Sequence, residues 1–186
     1  MKNNPEWLIL NGNPNKSRFD SYLDDLQEQL KAAGVQVQQY NVRDLNIKQC
    51  LGCWNCWLKT PGLCVIKDDM ELIYPLLARV DLVLWASPLI LGTISGILKQ
   101  TQDRFIPMIH PYIEVVDGEC HHKFRYAHNP DLGLLVEKSP ADTHDDVALT
   151  ELLFQRFSRN TRTPLRFCAD TETPAKELIQ YAASHS

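Results

Sequence analysis

The chain has 186 residues, 44% apolar and 23% charged, with a net charge of −4. That length and balance suit one domain with a substantial core. A mildly acidic chain without a lysine or arginine run offers nothing that attracts nucleic acid or an anionic membrane, so neither is expected as a partner.

The stretch MKNNPEWLILNGNP contains one apolar run, Trp7 to Leu10. It is too short for a secretory signal or a membrane span. The expected location is the cytoplasm, where thiols stay reduced. The run reads as a first strand ending at the turn formers Asn11-Gly12-Asn13-Pro14. Phe19, Tyr22, Leu23, Leu26 and Leu30 then recur at helical spacing, with Gly34 as the stop. Val35 to Val42 reads as a second strand, and a cysteine-rich loop follows. Asp68-Asp69 reads as the cap and first turn of a helix reaching about Arg79, shortened or kinked by Pro75.

Asp81 to Ala86 is a near-continuous apolar run, the pattern of a central parallel strand covered on both faces. After the loop SPLILGT, a helix is predicted from about Ser95 to Phe105. Leu132 to Val136 and Leu165 to Ala169 are two more strands. Between them Asp145 caps a helix carrying Val147, Leu152, Leu153, Phe154 and Phe157, and Thr173-Pro174 opens a last helix. Five strands alternating with helices predict an α/β fold, a doubly wound parallel sheet with helices on both faces. His110 to Asn129 breaks the alternation; its Asp117-Gly118 pair predicts a hairpin insertion. Residues 1–186 read as one domain, with the insertion at about 110–129.

Ligands of an open parallel sheet sit beyond the carboxyl ends of the strands, where strand order reverses. The first such loop, Asn11 to Ser17, has neither the G-x-G-x-x-G of a dinucleotide site nor a G-K-[ST]. It does have a glycine, small polar side chains and a helix entrance, with Lys16 and Arg18 to add charge. It therefore reads either as a phosphate cradle or as an ordinary polar turn. The loop Ser87-Pro88-Leu89-Ile90-Leu91-Gly92-Thr93 is apolar for an exposed connection, which suits either a flat hydrophobic ring or a subunit contact.

Four of the six cysteines, Cys50, Cys53, Cys56 and Cys64, fall within fifteen residues, CLGCWNCWLKTPGLC. C-x2-C-x2-C suits a cubane cluster, whose separate irons each take one thiolate, and Cys64 can fold back as the fourth ligand. Zinc, a Cys53–Cys56 redox pair and simple packing remain as alternatives. Trp54 and Trp57 read as buried anchors of this loop, and Cys168 as a small core residue. His121 and His122 sit on opposite faces of a strand, so the histidines near them read as a hairpin rim rather than a metal site. Asp68-Asp69 reads as helix-start chemistry. No Ser–His–Asp or paired-carboxylate arrangement stands out, and no catalytic side chain is assigned.

Together NGNP, then CLGCWNCW-x4-GLC-x3-DDM, then SPLILGTISGILKQTQDR resemble the flavodoxin-like NADPH-dependent FMN reductases, closest to their iron–sulfur flavoprotein branch. The resemblance covers about Trp7 to Pro107. The family's T-P-x-Y-x-G loop and L-K-x3-D-R helix are matched by Ser87-Pro88, Gly92, Leu98-Lys99 and Asp103-Arg104. Its G-S-P loop is matched by Gly12-Asn13-Pro14, and its loop tyrosine is Ile90 here.

The resemblance implies a flavodoxin-like fold binding FMN, with Asn11, Asn13, Pro14, Asn15, Lys16 and Ser17 at the phosphate. Ser87, Pro88, Leu89, Ile90, Leu91 and Gly92 would then stand at the ring. It implies oxidation of NADH or NADPH, a quinone, flavin or protein as acceptor, and assembly as a homodimer or tetramer. It also implies a [4Fe–4S] cluster on the four cysteines. The alternatives are an iron–sulfur flavoprotein that carries electrons without its own NAD(P)H turnover, or a zinc- or thiol-dependent regulatory protein on the same scaffold.

Overall fold

Strands β1 (Glu6–Asn11), β2 (Gln36–Asn41) and β3 (Leu82–Ile90), with β7 (Asp131–Glu137) and β8 (Leu165–Asp170), form one parallel sheet in the order β2-β1-β3-β7-β8. The structure is a computed structural model and describes residues 4–183; the remaining terminal residues lie outside it. The order is that of a flavodoxin-like doubly wound sheet, reversing between β1 and β3. Register is set early: Trp7 pairs Leu82 and Asn11 pairs Ala86 across β1 and β3, and Gly12 N–H continues the ladder to Ala86 O at 2.7 Å.

Alternation along the strands divides the core into two layers. Trp7, Ile9, Leu82 and Leu84 face α1 (Arg18–Ala32) and α6 (Ala175–Ala183), meeting Phe19, Leu23, Leu26, Leu30 and Leu178. Leu8, Leu10, Val83 and Trp85 face the opposite layer, which takes Met70, Ile73 and Leu77 from α3 (Met70–Leu77). Leu98 from α4 (Gly96–Asp103) and Phe154 from α5 (His144–Thr161) complete that layer. Among the described residues no helix is long and apolar enough to cross a membrane.

The expected hairpin insertion is present as β5 (Ile109–Val116) and β6 (Glu119–Phe124), a separate two-stranded sheet. Its turn residues Asp117 and Gly118 both have positive φ, 52° and 80°. The short helix α2 (Asn55–Leu58) lies inside the cysteine loop.

Two local expectations are corrected. Strand β3 does not end at Ala86; it runs through Ser87-Pro88-Leu89-Ile90 and folds back as β4 (Thr93–Ile94), antiparallel to it. Thr143, not Asp145, caps α5: its side chain accepts from Asp146 N–H while Asp146 returns the bond, a capping box. On α5, Phe154 is buried, but Leu149, Leu152 and Leu153 stand half-exposed.

Candidate cofactor site

The turn after β1 is tied together from within. The Asp20 carboxylate, in the first turn of α1, accepts from Asn11 Nδ2 (2.8 Å), Asn13 Nδ2 (2.9 Å), Ser17 N (2.8 Å) and Arg43 Nη1 (2.7 Å). Burial by itself would raise this carboxyl; the bonds from Ser17, Arg43 and Asn11 outweigh it and hold the carboxyl below its ordinary value. Asn11 and Asn13 are buried, with their amides spent inside the loop. The outer rim is different. Asn15, Lys16, Ser17 and Arg18 are exposed; among the described residues the backbone N–H groups of Lys16 and Arg18 have no partner, and Arg18 Nε lies 3.8 Å from Glu137 Oε1. Gly12 has a packing reason: a Cβ there would fall 2.5 Å from Leu98 Cβ, so α4 could not approach.

Across the switch point, Leu91 and Gly92 form the two-residue turn between β3 and β4, with φ of 52° and 76°. Ser87 Oγ, fully buried, accepts from Ser95 N at 2.9 Å, and Ser95 Oγ donates to Gly12 O. Those bonds lock the extended Ser87–Ile90 segment to the turn after β1. Leu89 faces inward, Pro88 is half-buried, Ile90 is exposed, and Leu91 is 100% exposed in left-handed backbone. A leucine held this way presents apolar surface at a backbone cost of roughly 1–2 kcal/mol. Lys138, just after β7, pairs with Asp170 Oδ2 at 2.6 Å.

All four clustered cysteines line one cavity of about 580 Å³, walled on the other side by Gly96, Lys99, Gln100 and Arg104 of α4 and its end. Among the described residues no three His, Cys, Asp or Glu side chains converge as a single-ion site. Four thiols around one cavity are the kind of donor set that a cubane takes, one thiolate at each iron. Burial, joined by the charges of Cys64, Cys50 and Cys53, raises the Cys56 thiol to about 11. Arg104 Nη2 donates to Cys64 Sγ at 3.5 Å. Asp68, expected at a helix start, does accept from Met70 N, but its main partner is Arg104, with contacts of 2.6 and 3.1 Å. Only Asp69 caps by position, and its side chain instead accepts from Asn46 N at 2.7 Å.

Trp57 is the loop's anchor: Nε1 donates to Ile106 O (3.1 Å) and Ile109 O (2.9 Å), and the ring packs on His122 at 5.0 Å. Trp54 differs from the expectation. It is 48% exposed, lies over Trp57 at 4.6 Å, and separates the cysteine cavity from a second one of about 750 Å³ walled by Phe105, Phe154 and Phe157. His121 and His122 do face opposite ways: His121 is buried against Asn160 and Glu119, away from Trp57. Cys168 is partly buried against the core, as its apolar surroundings predicted. No local pattern points to the contacts of Arg104 and Asp20; of the two, only Arg104 falls within a quoted motif, L-K-x3-D-R.

An iron-sulfur flavoprotein of Archaeoglobus fulgidus is 33% identical over 97 residues, 52% of this chain and 47% of that protein. One of Methanocaldococcus jannaschii is 39% identical over 75 residues, 40% of this chain and 37% of its own length. The chain thus spans about half, or less, of the length of the curated relatives it matches. The solved NAD(P)H:quinone oxidoreductase of Methanothermobacter marburgensis superposes with a TM-score of 0.63 at 15% identity, covering 97% of this chain and 96% of that one, which shows a shared fold. The family model for NADPH-dependent FMN reductase matches residues 5–123, a span holding β1, the Leu91 turn and the four-cysteine loop; the chain belongs to the NADPH-dependent FMN reductase family.

Proposed function

We propose that residues 1–186 form a single flavodoxin-like domain, with the hairpin at about 110–129 as an insertion, that binds FMN and oxidises NADH or NADPH. It would pass the reducing equivalents to a quinone, a flavin or a protein acceptor. The observation that carries this reading is the exposed Ile90-Leu91 tip of the Pro88–Gly92 segment, locked by Ser87 and Ser95 beside a helix entrance where the Lys16 and Arg18 N–H groups have no partner among the described residues. The N–H groups of Lys16 and Arg18, with Asn15, Ser17 and the two cations, would hold the phosphate. Asn11, Asn13 and Pro14 shape the loop from inside. Ile90 and Leu91 would lie against the ring and exclude water from that side. Bound flavin would supply hydride acceptance from nicotinamide and release of the electrons singly or in pairs; no side chain here need act as acid or base.

The cysteine cavity supports a second cofactor. Cys50, Cys53, Cys56 and Cys64 would hold a [4Fe–4S] cluster, and the names of the relatives agree with it. The aromatic cavity beyond Trp54 favours a flat small-molecule acceptor over a protein one. Leu149, Leu152 and Leu153 on α5 supply apolar surface that a homodimer or tetramer would cover. Cytoplasmic residence fits reduced thiols and a nicotinamide reductant.

The test is an anaerobic absorption spectrum with iron and sulfide analysis, followed by NAD(P)H oxidation in the steady state. About one FMN and about four irons per chain are expected. Flavin without iron removes the cluster. Both cofactors without turnover leave an electron carrier, and a colourless protein that holds zinc and does not retain added FMN removes the proposal.

A further inference from the structure

Arg104 follows the last residue of α4 and runs beneath the cysteine loop with 1% of its side chain exposed. Its donors are almost all assigned. Nη1 meets Asp68 Oδ2 and Lys48 O, each at 2.6 Å; Nη2 meets Asp68 Oδ1 at 3.1 Å and Cys64 Sγ at 3.5 Å. Asp68, fully buried, is itself fixed by Lys48 N (2.9 Å) and Met70 N (3.2 Å). Tyr74 Oη donates to the Arg104 carbonyl at 2.9 Å, which pins the backbone from the other side. The guanidinium thus has one orientation, and that orientation aims an N–H at a sulfur in the wall of the four-thiol cavity.

A buried ion pair is a costly way to fill a core, and apolar side chains of equal volume commonly do it as well. The placement makes sense in relation to the sulfur. A donor to a ligand sulfur, and a positive charge near a cluster, favour the state that carries one more electron, because added negative charge on the sulfurs strengthens both interactions. Asp68 cancels part of that charge at long range but leaves the N–H directed at Sγ.

We propose that Arg104 is a positioning residue for Cys64: it presents that thiolate as the fourth ligand of the cluster and raises the potential at which the cluster accepts an electron. This rests on the cluster reading given above. A bound flavin would supply the single electron that a cluster held here would accept; no bond would form or break, and Arg104 would keep its proton throughout.

The test uses the purified, iron-loaded chain and follows both centres in one anaerobic redox titration, the cluster by electron paramagnetic resonance and FMN by absorbance. Two variants are compared with the parent. Arg104→Lys keeps the charge but shortens the reach to Cys64, and the pair Asp68→Asn with Arg104→Gln removes both charges together, so that no lone ion is buried. The expected result is a downward shift of the cluster potential in both variants, larger in the neutral pair, with FMN potential and FMN content unchanged. Loss of iron from either variant with FMN retained also supports the assignment, since Cys64 would then be misplaced while the flavin site stands. A cluster potential unmoved in both variants overturns it, as does an equal shift of both centres. A parent protein that binds FMN but no iron fails at the cluster reading itself, a result distinguishable from failure of Arg104 alone.

Discussion

Arg43 Nη1 lies 2.7 Å from Asp20 Oδ1, inside the turn where α1 leaves the sheet. The Asp20 carboxylate of that pair also takes the inner donors of the turn, Asn11 Nδ2, Asn13 Nδ2 and Ser17 N. Asp20→Asn keeps the shape but turns an acceptor oxygen into a donor facing other donors. It should cost about 2–3 kcal/mol, read as a lower urea midpoint.

The same carboxylate gives a pH signature. Its folded pKa lies below the ordinary value of 3.8, so its stabilising contribution is complete above that value and is lost as pH falls from there through the folded pKa. Asp68 is shifted in the same direction, with burial opposing and the bonds from Arg104, Lys48 and Met70 prevailing. The stability of the parent should fall over this acid window, and Asp20→Asn should flatten the slope. Equal slopes in the two proteins would remove Asp20 from the account.

Leu91→Asn should raise the melting temperature of flavin-free protein, because asparagine tolerates the left-handed backbone that leucine occupies at φ 52°. The gain expected is about 1 kcal/mol. FMN affinity should fall several-fold if the leucine is held there to meet the ring. A more stable variant with unchanged affinity would assign Leu91 another partner.

Gly12→Ala should cost about 1–3 kcal/mol through overpacking, since its Cβ would meet Leu98 Cβ and Cδ2 at 2.5 and 2.9 Å. Combining it with Leu98→Ala should recover part of that loss. Strict additivity in the double variant would argue against the contact as the cause.

Trp57→Phe removes the shared indole bond and leaves the Ile106 and Ile109 carbonyls without that donor. A loss of about 1–2 kcal/mol is expected. Hydrogen exchange should quicken in the hairpin of residues 109–124 before it does in the parallel sheet. Uniform quickening across the chain would mean that the indole supports the whole fold rather than this one joint.

The order of strands and helices was legible because it depends on neighbours a few positions apart. Trp7 to Leu10 and Asp81 to Ala86 are apolar runs, Leu23, Leu26 and Leu30 repeat at helical spacing, and Asp117-Gly118 is a hairpin turn by its own chemistry. The clustering of the four cysteines was legible for the same reason. The fold-back at Leu91 was not, since a leucine does not announce a positive φ; pairing with β4 and the Ser87–Ser95 bond impose it. Nor was the split between buried Asn11 and Asn13 and exposed Lys16, because Asp20 and Arg43 had first to be brought together, 23 positions apart. Arg104 reaches Asp68 and Cys64 across 36 and 40 positions, and no local pattern records such a distance. Sequence by itself determined the elements and the supply of thiols. Tertiary packing decided which carboxylate fills the turn, which leucine is left bare and which cation meets the sulfur, because each depends on desolvation and contact between segments that are neighbours only once the sheet has closed.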